Sequence, residues 1–374
     1  MKRTLISFAV LGTILGAVSV QAGGFDRSGQ DTSIILKDGN LLETTSVSVS
    51  PKVTGTYKSG AATGEVAPNY SFTNIAFRTD INDKISIAVI QDSPFGAHVD
   101  WTSGTLYQSY KGVKAEIKSS ATTILTSYGL DNVTIYGGLK NQEMSASNSN
   151  PLMMAYGGAY NITSTPDSSL GYVLGAAFEK PEIAMRIALT YHSKVSHDIA
   201  ISESVTNASN QTTTTVGVLS TKTPESFNLD FQTGIAENTL LFGTIRRVNW
   251  TQLELTPPIY KSLHPAGASL KKFTSDTTSY SLGLGRKFSD QWSGAVTYGT
   301  ESAEGVGGSA LGPTDGYNKM GVGVTYTGEK ISVTLGAQKV NLGDTQITGA
   351  NDATTASMTG NTSLVTAVKI GYKF

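Results

Sequence analysis

The sequence of 374 residues contains no cysteine, which excludes disulfide frameworks, thiol catalysis and cysteine-based zinc sites. Charge is also scarce: 15% of the residues are charged, whereas a soluble globular chain carries roughly a quarter. The net charge of −1 gives no broad field that would attract nucleic acid, so no nucleic-acid partner is predicted. The four histidines lack metal-ligand spacing and no cofactor motif is present, so neither a metal nor a cofactor is predicted.

Long apolar runs are missing after the first 22 residues, so any membrane must be crossed by strands. The opening stretch MKRTLISFAVLGTILGAVSVQA has a basic start, an apolar middle and a small-residue end. This pattern predicts a signal peptide at residues 1–22 and Sec-type export. The alternative is an uncleaved anchor, but the apolar stretch is short for a span of roughly 20 residues.

The sequence does contain regular alternation of apolar and polar residues. The segments EIAMRIALTYHSK (182–194), SFNLDFQTGI (226–235) and KISVTLGAQ (330–338) each follow it. A period of two predicts strands with one apolar and one polar face. In a soluble sandwich these faces meet core and solvent, whereas in an outer-membrane barrel they meet lipid and lumen.

The connections between the predicted strands favour the barrel. Short polar turns, such as Asp80–Asp83 and Thr327–Lys330, alternate with long connections rich in Ser, Thr, Asn and Gly. The long connections are 97–114, 142–168, 203–224, 256–275, 302–315 and 342–362. Fourteen strands are predicted at about 44–58, 69–79, 83–96, 115–129, 132–143, 169–179, 182–202, 225–235, 239–255, 276–288, 291–301, 317–327, 330–341 and 363–374. We therefore predict an all-β fold, a transmembrane antiparallel β-barrel of about fourteen strands, embedded in outer-membrane lipid.

Aromatic residues near the short turns predict an interfacial girdle. Its predicted members are Tyr128, Phe178, Phe288, Trp292, Tyr326, Tyr372 and Phe374. The last strand, SLVTAVKIGYKF, is expected to close the barrel by pairing with the first. A terminal Phe on such a strand resembles the assembly signal of bacterial outer-membrane proteins, which implies the barrel-assembly machinery as a transient partner.

The segment Gly23 to Leu42 does not alternate and precedes the first strand. We predict that residues 23–42 fold inward as a hatch, with residues 43–374 forming the barrel. A disordered periplasmic tail is the alternative.

Several stretches resemble the FadL-type (OmpP1/FadL/TodX) outer-membrane transporters of long-chain fatty acids and other hydrophobic compounds. GGFDRSGQDTSII is similar to the hatch of that family, and TSVSVSPKVTG to its first strand. INDKISIAVIQDSPFGAHVDW resembles its interrupted third strand, LTYHSKV its seventh, and TPESFNLDFQTGIAENTLLFGTIRRVNWTQLEL its middle strands. The Asn-Pro-Ala motif of the family hatch is missing, and KDGN stands where it would fall.

The resemblance implies a monomeric, passive transporter rather than an enzyme. A hydrophobic ligand such as a long-chain fatty acid would be captured by the loops, held inside the barrel beside Phe25 or Phe95, and released sideways at the third strand. The sequence offers a counterpart, because Pro94 and Gly96 follow Asp92 within a predicted strand and both residue types interrupt ladders. The alternative is that the strand ends at Asp92 and a loop begins.

Cations on the predicted lumen face are candidates for holding a carboxylate. Arg186, His192 and Lys194 share that face of the seventh strand. Of the adjacent Arg246 and Arg247, the latter is favoured if Val248 and Trp250 face outward. The alternative is an ordinary polar lumen, with cations paired to carboxylates such as Asp230 or Glu179.

Three other functions remain open from the residues alone. A general diffusion porin would need a charged constriction loop, which the sequence does not show. A barrel-embedded lipase would need a Ser-His pair, for which no motif is present. A structural or adhesive barrel would need neither a plug nor an interrupted strand.

Overall fold

The computed structural model describes residues 25–102, 112–153, 158–263, 269–303, 305, 308–348 and 354–374. The predicted signal peptide lies outside these residues. Within them the chain forms a closed antiparallel barrel of fourteen strands, which confirms the predicted fold class.

The barrel strands follow one another around the wall in sequence order. Their bounds are β1 (Leu41–Lys52), β2 (Tyr70–Asp80), β3 (Ile85–Asp92 and Gly96–Asp100), β4 (Lys114–Leu130), β5 (Val133–Met153), β6 (Gly158–Ser164 and Asp167–Lys180), β7 (Met185–His192 and Val195–Thr206), β8 (Thr212–Thr223 and Ser226–Ala236), β9 (Thr239–Val248), β10 (Thr277–Lys287), β11 (Trp292–Glu301), β12 (Tyr317–Thr327), β13 (Ile331–Leu342) and β14 (Thr362–Lys373). In the described residues β3, β6, β7 and β8 are each interrupted once.

The last strand closes the barrel against the first, as the sequence predicts. β14 pairs with β1 along its whole length, from Leu41 opposite Lys373 to Lys52 opposite Thr362. The terminal Phe374 stacks on Phe77 of β2, with 5.9 Å between the ring centroids. Every predicted girdle residue is exposed at the short-turn end, so the aromatic side chains surround that end of the wall.

The two faces of the strands have opposite polarity. Apolar side chains cover the outside, and several are more than half exposed: Leu139, Leu170, Val296, Met320 and Val322. Polar and charged side chains point inward, where Lys140, Gln142, Arg246, Gln338 and Lys369 are buried. This is the arrangement of a barrel with lipid outside and a polar lumen.

The long-loop end differs from the prediction. Segments 142–168 and 203–224, expected as loops, consist largely of strand in the described residues. β5 and β6 extend into the first segment, and β7 and β8 extend through the second to a tight turn at Asn207–Asn210. In water both faces of a strand can be polar, so apolar alternation disappears while the backbone ladder continues. Composition therefore marks the edge of the membrane rather than the end of the strands.

Short elements cap the long-loop end. Strands Gly55–Tyr57, Thr345–Thr348 and Thr354–Met358 form a small sheet. Its buried core includes Trp101, whose indole N–H donates to the carbonyl of Ala310 at 2.9 Å. The remaining short elements are strands Glu254–Leu255 and Lys271–Lys272, a helix at Pro258–Leu263, and 3₁₀ turns at Ser33–Leu36, Pro181–Ile183 and Trp250–Gln252. In the described ranges no helix has the length and apolar character needed to span a membrane.

The topology predicts which turns reach the cell exterior. An epitope inserted between Ser209 and Asn210 should be labelled by antibody on intact cells, because this hairpin lies at the long-loop end. The same epitope inserted between Asp131 and Asn132, in a short turn, should be labelled only after permeabilisation. Labelling of intact cells at Asp131 would overturn the orientation.

Candidate gating site

Residues 25–40, here called the N-terminal hatch, lie inside the barrel. Asn228 donates a side-chain hydrogen bond to the carbonyl of Gly29 at 2.9 Å, and Ser226 donates to the side chain of Gln30 at 2.8 Å. Nearer the short-turn end, which is called the lower end from here on, Ile34 and Ile35 pack against the inward-facing residues Ala88, Ile90, Leu125, Tyr136 and Val173. The segment therefore fills the lumen along one wall instead of forming a tail.

A buried ion pair holds the upper part of the hatch. The guanidinium of Arg246 on β9 lies 2.6 Å from the Asp26 carboxylate, and both side chains are almost inaccessible. The same guanidinium donates to Asn228 at 2.7 Å and to Gln30 at 3.2 Å. Losing one partner of such a pair leaves an uncompensated charge in a dry site, which makes this contact strongly stabilising for the seated hatch.

A group of three charges anchors the lower part of the hatch. Lys37 lies 2.7 Å from Glu43 of β1, and Lys369 of β14 lies 2.8 Å from the same carboxylate. Burial lowers the pKa of Lys37 to about 8, although the neighbouring Glu43 carboxylate opposes the shift. This anchor lies in and around KDGN, at the position where the family motif Asn-Pro-Ala is missing.

The barrel wall is incomplete beside the hatch. Pairing between β2 and β3 ends at Ile75 opposite Gln91. Beyond that point residues 70–74 of β2 pair with β1, and in the described residues nothing pairs with their other edge. We call this opening between residues 70–74 and the upper half of β3 the lateral gap.

A β-bulge in β3 forms one side of the lateral gap. Asp92 pairs with Ala121 of β4, and pairing resumes with Gly96 opposite Lys118. Three residues of β3 therefore oppose two of β4, which is one residue too many for a regular ladder. The strand continues after Pro94, so the alternative that a loop begins at Asp92 is wrong.

The hatch takes the place of β2 along this part of β3. Asp26 and Phe95 form an antiparallel bridge, in which the amide of Gly96 donates to the carbonyl of Phe25 at 2.8 Å. The amide of Arg27 donates to the carbonyl of Pro94 at 3.0 Å. Just below, the hydroxyl of Ser28 donates to the carboxylate of Asp92. Five predicted site residues, namely Phe25, Asp92, Pro94, Phe95 and Gly96, thus meet at one place.

Above the bridge lies an aromatic cluster formed by Phe25, Phe95, Trp250 and Phe273. The ring of Phe25 packs edge-on against Phe273 at 5.2 Å between centroids, and Trp250 stacks on Phe273 at 5.0 Å. All four rings are buried. Phe25, at the start of the hatch, therefore fills an apolar site with its own side chain.

A cavity of about 60 Å³ borders the lower part of the lateral gap, between the hatch and strands β1, β2, β3 and β14. Its polar lining residues are Ser28, Asp31, Ser33, Glu43, Thr45, Asn74, Asp92 and Lys369. This volume and lining suit a few water molecules. Such a cavity gives the lower hatch room to move.

Two of the predicted lumen cations lie inside the barrel. Arg186 donates to the carbonyl of Leu36 in the hatch at 3.2 Å and lies 3.6 Å from Glu179, so it is already engaged. His192 is 2% exposed on β7, where it opposes Ser226 of β8.

The structure corrects the expected orientation of two other cations. Lys194 is exposed, because β7 is interrupted at residues 193–194 and the regular alternation is lost there. Arg247 is also exposed and pairs with Asp276 at 3.3 Å, whereas its neighbour Arg246 points inward. Arg247 was favoured on the condition that Val248 and Trp250 face outward, and both are buried.

Sequence reasoning missed several site residues, among them Asp26, Arg27 and Lys140, and it favoured Arg247 over Arg246. Lys140 has a detectable signal, because it alternates with apolar residues on a predicted strand. The roles of Asp26 and Arg27 carry no such signal, because their partners lie on strands far away along the chain.

Comparison with known proteins identifies the family. A family model described as outer membrane protein transport protein (OMPP1/FadL/TodX) matches residues 33–374. The chain belongs to this family. It is therefore an outer-membrane barrel of a family that transports hydrophobic compounds, as the resemblance predicted. No match was found among curated proteins.

Solved structures show the same fold at low sequence identity. A FadL homologue from Pseudomonas aeruginosa has a TM-score of 0.76 at 12% identity, covering 99% of this chain and 98% of its own. The toluene transporter TodX from P. putida has a TM-score of 0.70 at 13% identity, with 96% and 98% covered. The toluene transporter TbuX from Ralstonia pickettii has a TM-score of 0.62 at 12% identity, with 98% and 100% covered.

Breaking the upper ion pair should release the hatch. Arg246→Ala leaves Asp26 buried without its cation, at a cost of about 3–5 kcal/mol to the seated state. Single-channel conductance in planar bilayers should therefore rise. Arg247→Ala, which removes the adjacent exposed arginine, is the matched control and should leave conductance unchanged. Equal conductance of the two variants would show that the pair does not hold the hatch.

Removing the anion of the lower anchor should loosen residues 34–40. Glu43→Gln leaves Lys37 and Lys369 buried side by side without a counter-charge, so their repulsion opposes docking. Hydrogen exchange of the backbone amides in this segment should become faster than in the wild type. Glu143→Gln removes an exposed carboxylate and serves as the control. Unchanged exchange in Glu43→Gln would assign the anchoring to two arginines instead: Arg78, which donates to the carbonyls of Ile35 and Gly39, and Arg186, which donates to that of Leu36.

Proposed function

We propose that this protein takes up long-chain fatty acids or similar hydrophobic molecules by passive diffusion, with release through the lateral gap into the membrane. The observation that carries the proposal is the missing ladder between β2 and β3 at residues 70–74, covered from inside by a separate segment. A continuous barrel wall would offer no such exit.

The physical reason for a sideways exit is the cost of wetting an acyl chain. Each CH₂ group kept out of water is worth about 0.8 kcal/mol, so a long chain strongly disfavours the aqueous periplasm. An opening in the wall joins the lumen directly to the hydrocarbon of the bilayer. No energy source is needed for a ligand that moves down its gradient.

The aromatic cluster above the bridge suggests how the ligand would move the hatch. A hydrophobic ligand entering from the loop end would compete with Phe25 for contact with Trp250 and Phe273. Displacing Phe25 would pull on Asp26 and Arg27, which hold the hatch against β9 and β3. Ligand arrival and opening of the lateral gap would then be coupled.

Lys140 is the best-placed partner for a carboxylate head group. It is 2% exposed, and among the described residues its ammonium makes one hydrogen bond, a long one of 3.5 Å to the carbonyl of Ser193. His192 precedes Ser193 and lies in the same buried region. By contrast, Arg186 and Lys369 already bind the hatch or its anchor. A fatty acid would use Lys140, whereas an aromatic hydrocarbon such as toluene carries no group that needs it.

The exit route can be tested by sealing the gap. The natural chain has no cysteine, so Thr73→Cys on β2 and Ser93→Cys on β3 can be joined by a short bifunctional thiol reagent without side reactions. These positions would be opposite each other if the ladder continued past Ile75 and Gln91. Cross-linking should stop uptake of a long-chain fatty acid in cells, and a cleavable reagent should allow it to recover.

The matched control is the pair Ser46→Cys and Thr73→Cys, which joins β1 to β2 across an intact ladder. Cross-linking this pair should leave uptake unchanged. If the gap pair is fully cross-linked and uptake continues at the rate of the control, the ligand leaves through the short-turn end, and the lateral route is wrong.

The ligand class can be tested at Lys140. Lys140→Met should weaken fatty-acid binding by about tenfold or more, because a hydrogen bond to a charged group contributes about 1.5–3 kcal/mol. Binding of toluene should not change. Lys339→Met, at an exposed position on β13, controls for the loss of a positive charge. Equal loss for both ligands, or for neither, would exclude Lys140 as the head-group partner.

A further inference from the structure

The side chain of Arg27 occupies the lateral gap itself. Tyr70 and Gly96 are each five residues beyond the last pair of the interrupted ladder, Ile75 opposite Gln91. In a continuous wall they would be direct partners. Instead the Arg27 guanidinium lies between them, with its central carbon 4.4 Å from the centroid of the Tyr70 ring.

Gly96 leaves the space that this arrangement requires. A Cβ atom built on Gly96 would lie 2.6 Å from both Cζ and Nε of Arg27, much closer than non-bonded atoms can approach. The side chain of Arg27 therefore lies directly against the backbone of β3. On its other side it covers the ring of β2, so one side chain spans the opening.

The contacts of this guanidinium are of a kind that can be released. A cation over an aromatic ring is worth about 0.5–2 kcal/mol, less than the cost of breaking a buried ion pair. The Nε atom of Arg27 is buried, and within the described residues it has no hydrogen-bond partner. Among the described residues no carboxylate forms an ion pair with Arg27, so its side chain is held mainly by packing and by its neighbours in the hatch.

Those neighbours connect Arg27 to the rest of the hatch. Asp26 before it is paired with Arg246, and Ser28 after it donates to Asp92. The backbone amide of Arg27 itself donates to Pro94. Arg27 must therefore leave the gap whenever this part of the hatch leaves the lumen. It precedes residues 33–374, which the family model matches.

We propose that Arg27 is a latch that closes the lateral gap, with its guanidinium held between Tyr70 and Gly96 and withdrawn when the hatch moves. The inference rests on the lateral exit proposed above and names the residue that regulates it. It explains why a glycine stands at position 96, directly after Phe95, because any side chain there would meet the Arg27 guanidinium.

The latch is tested by measuring the width of the gap. Spin labels on Ser71→Cys of β2 and His98→Cys of β3 report the distance across it, in a chain that has no other cysteine. Arg27→Ala, which removes the latch, should shift this distance to longer and more varied values in detergent-purified protein. Gly96→Ala should do the same, because its methyl group expels the guanidinium.

The control is Gly129→Ala on β4, where an added Cβ meets nothing closer than 3.7 Å. It should leave the distance unchanged. A distance in Arg27→Ala identical to the parent would overturn the latch, and so would a change in Gly129→Ala as large as that in Gly96→Ala.

Fatty-acid uptake by the same variants separates the latch from the exit route. A wider gap with faster uptake supports both. A wider gap with unchanged uptake supports the latch but places the exit elsewhere. An unchanged gap, combined with loss of uptake in the cross-linked Thr73→Cys and Ser93→Cys pair, would keep the lateral exit and overturn the latch.

Discussion

At membrane depth every backbone N–H and C=O group must find a partner within the protein, because lipid offers none. In the described residues the ladder between β2 and β3 ends at Ile75 opposite Gln91, so this junction meets the requirement only in part. Along the upper half of β3 the missing partner is supplied by Phe25 and Arg27 of the hatch. The hatch is therefore part of the wall as well as a plug, and moving it removes hydrogen bonds from β3.

The charges inside the barrel also depend on partners in the hatch. Arg246 would be an isolated buried cation without Asp26, and Glu43 balances two lysines, of which Lys37 belongs to the hatch. The barrel and the hatch would therefore each contain buried charges without counter-charges if the other were removed. The polar cavity lined by Asp92 leaves space for a few water molecules beside the lower hatch.

Much of the fold could be predicted because it depends on local patterns: alternation gave the strands, and polar turns gave their short connections. The site was harder. Arg246 and Arg247 are adjacent, and the choice between them depended on whether the side chains of Val248 and Trp250 face outward. Instead β9 ends at Val248, and a 3₁₀ turn places Trp250 in the aromatic cluster. Likewise, Asp26 meets a partner 220 positions away. Such contacts are set by the closed tertiary structure, and no short-range pattern encodes them.

The bulge in β3 also divides that strand into two halves with opposite inside-outside phase. Asp92 points into the lumen, whereas Gly96 shares a face with the exposed Lys118, and the inward positions become Ala97 and Val99. One extra residue among positions 93–95 causes this change, and it corresponds to a single codon. Deleting one codon there would bring both halves into phase and allow β3 to pair with β2 along its full length. By this reasoning, one in-frame deletion separates a barrel with a gap in its wall from a barrel with a continuous wall.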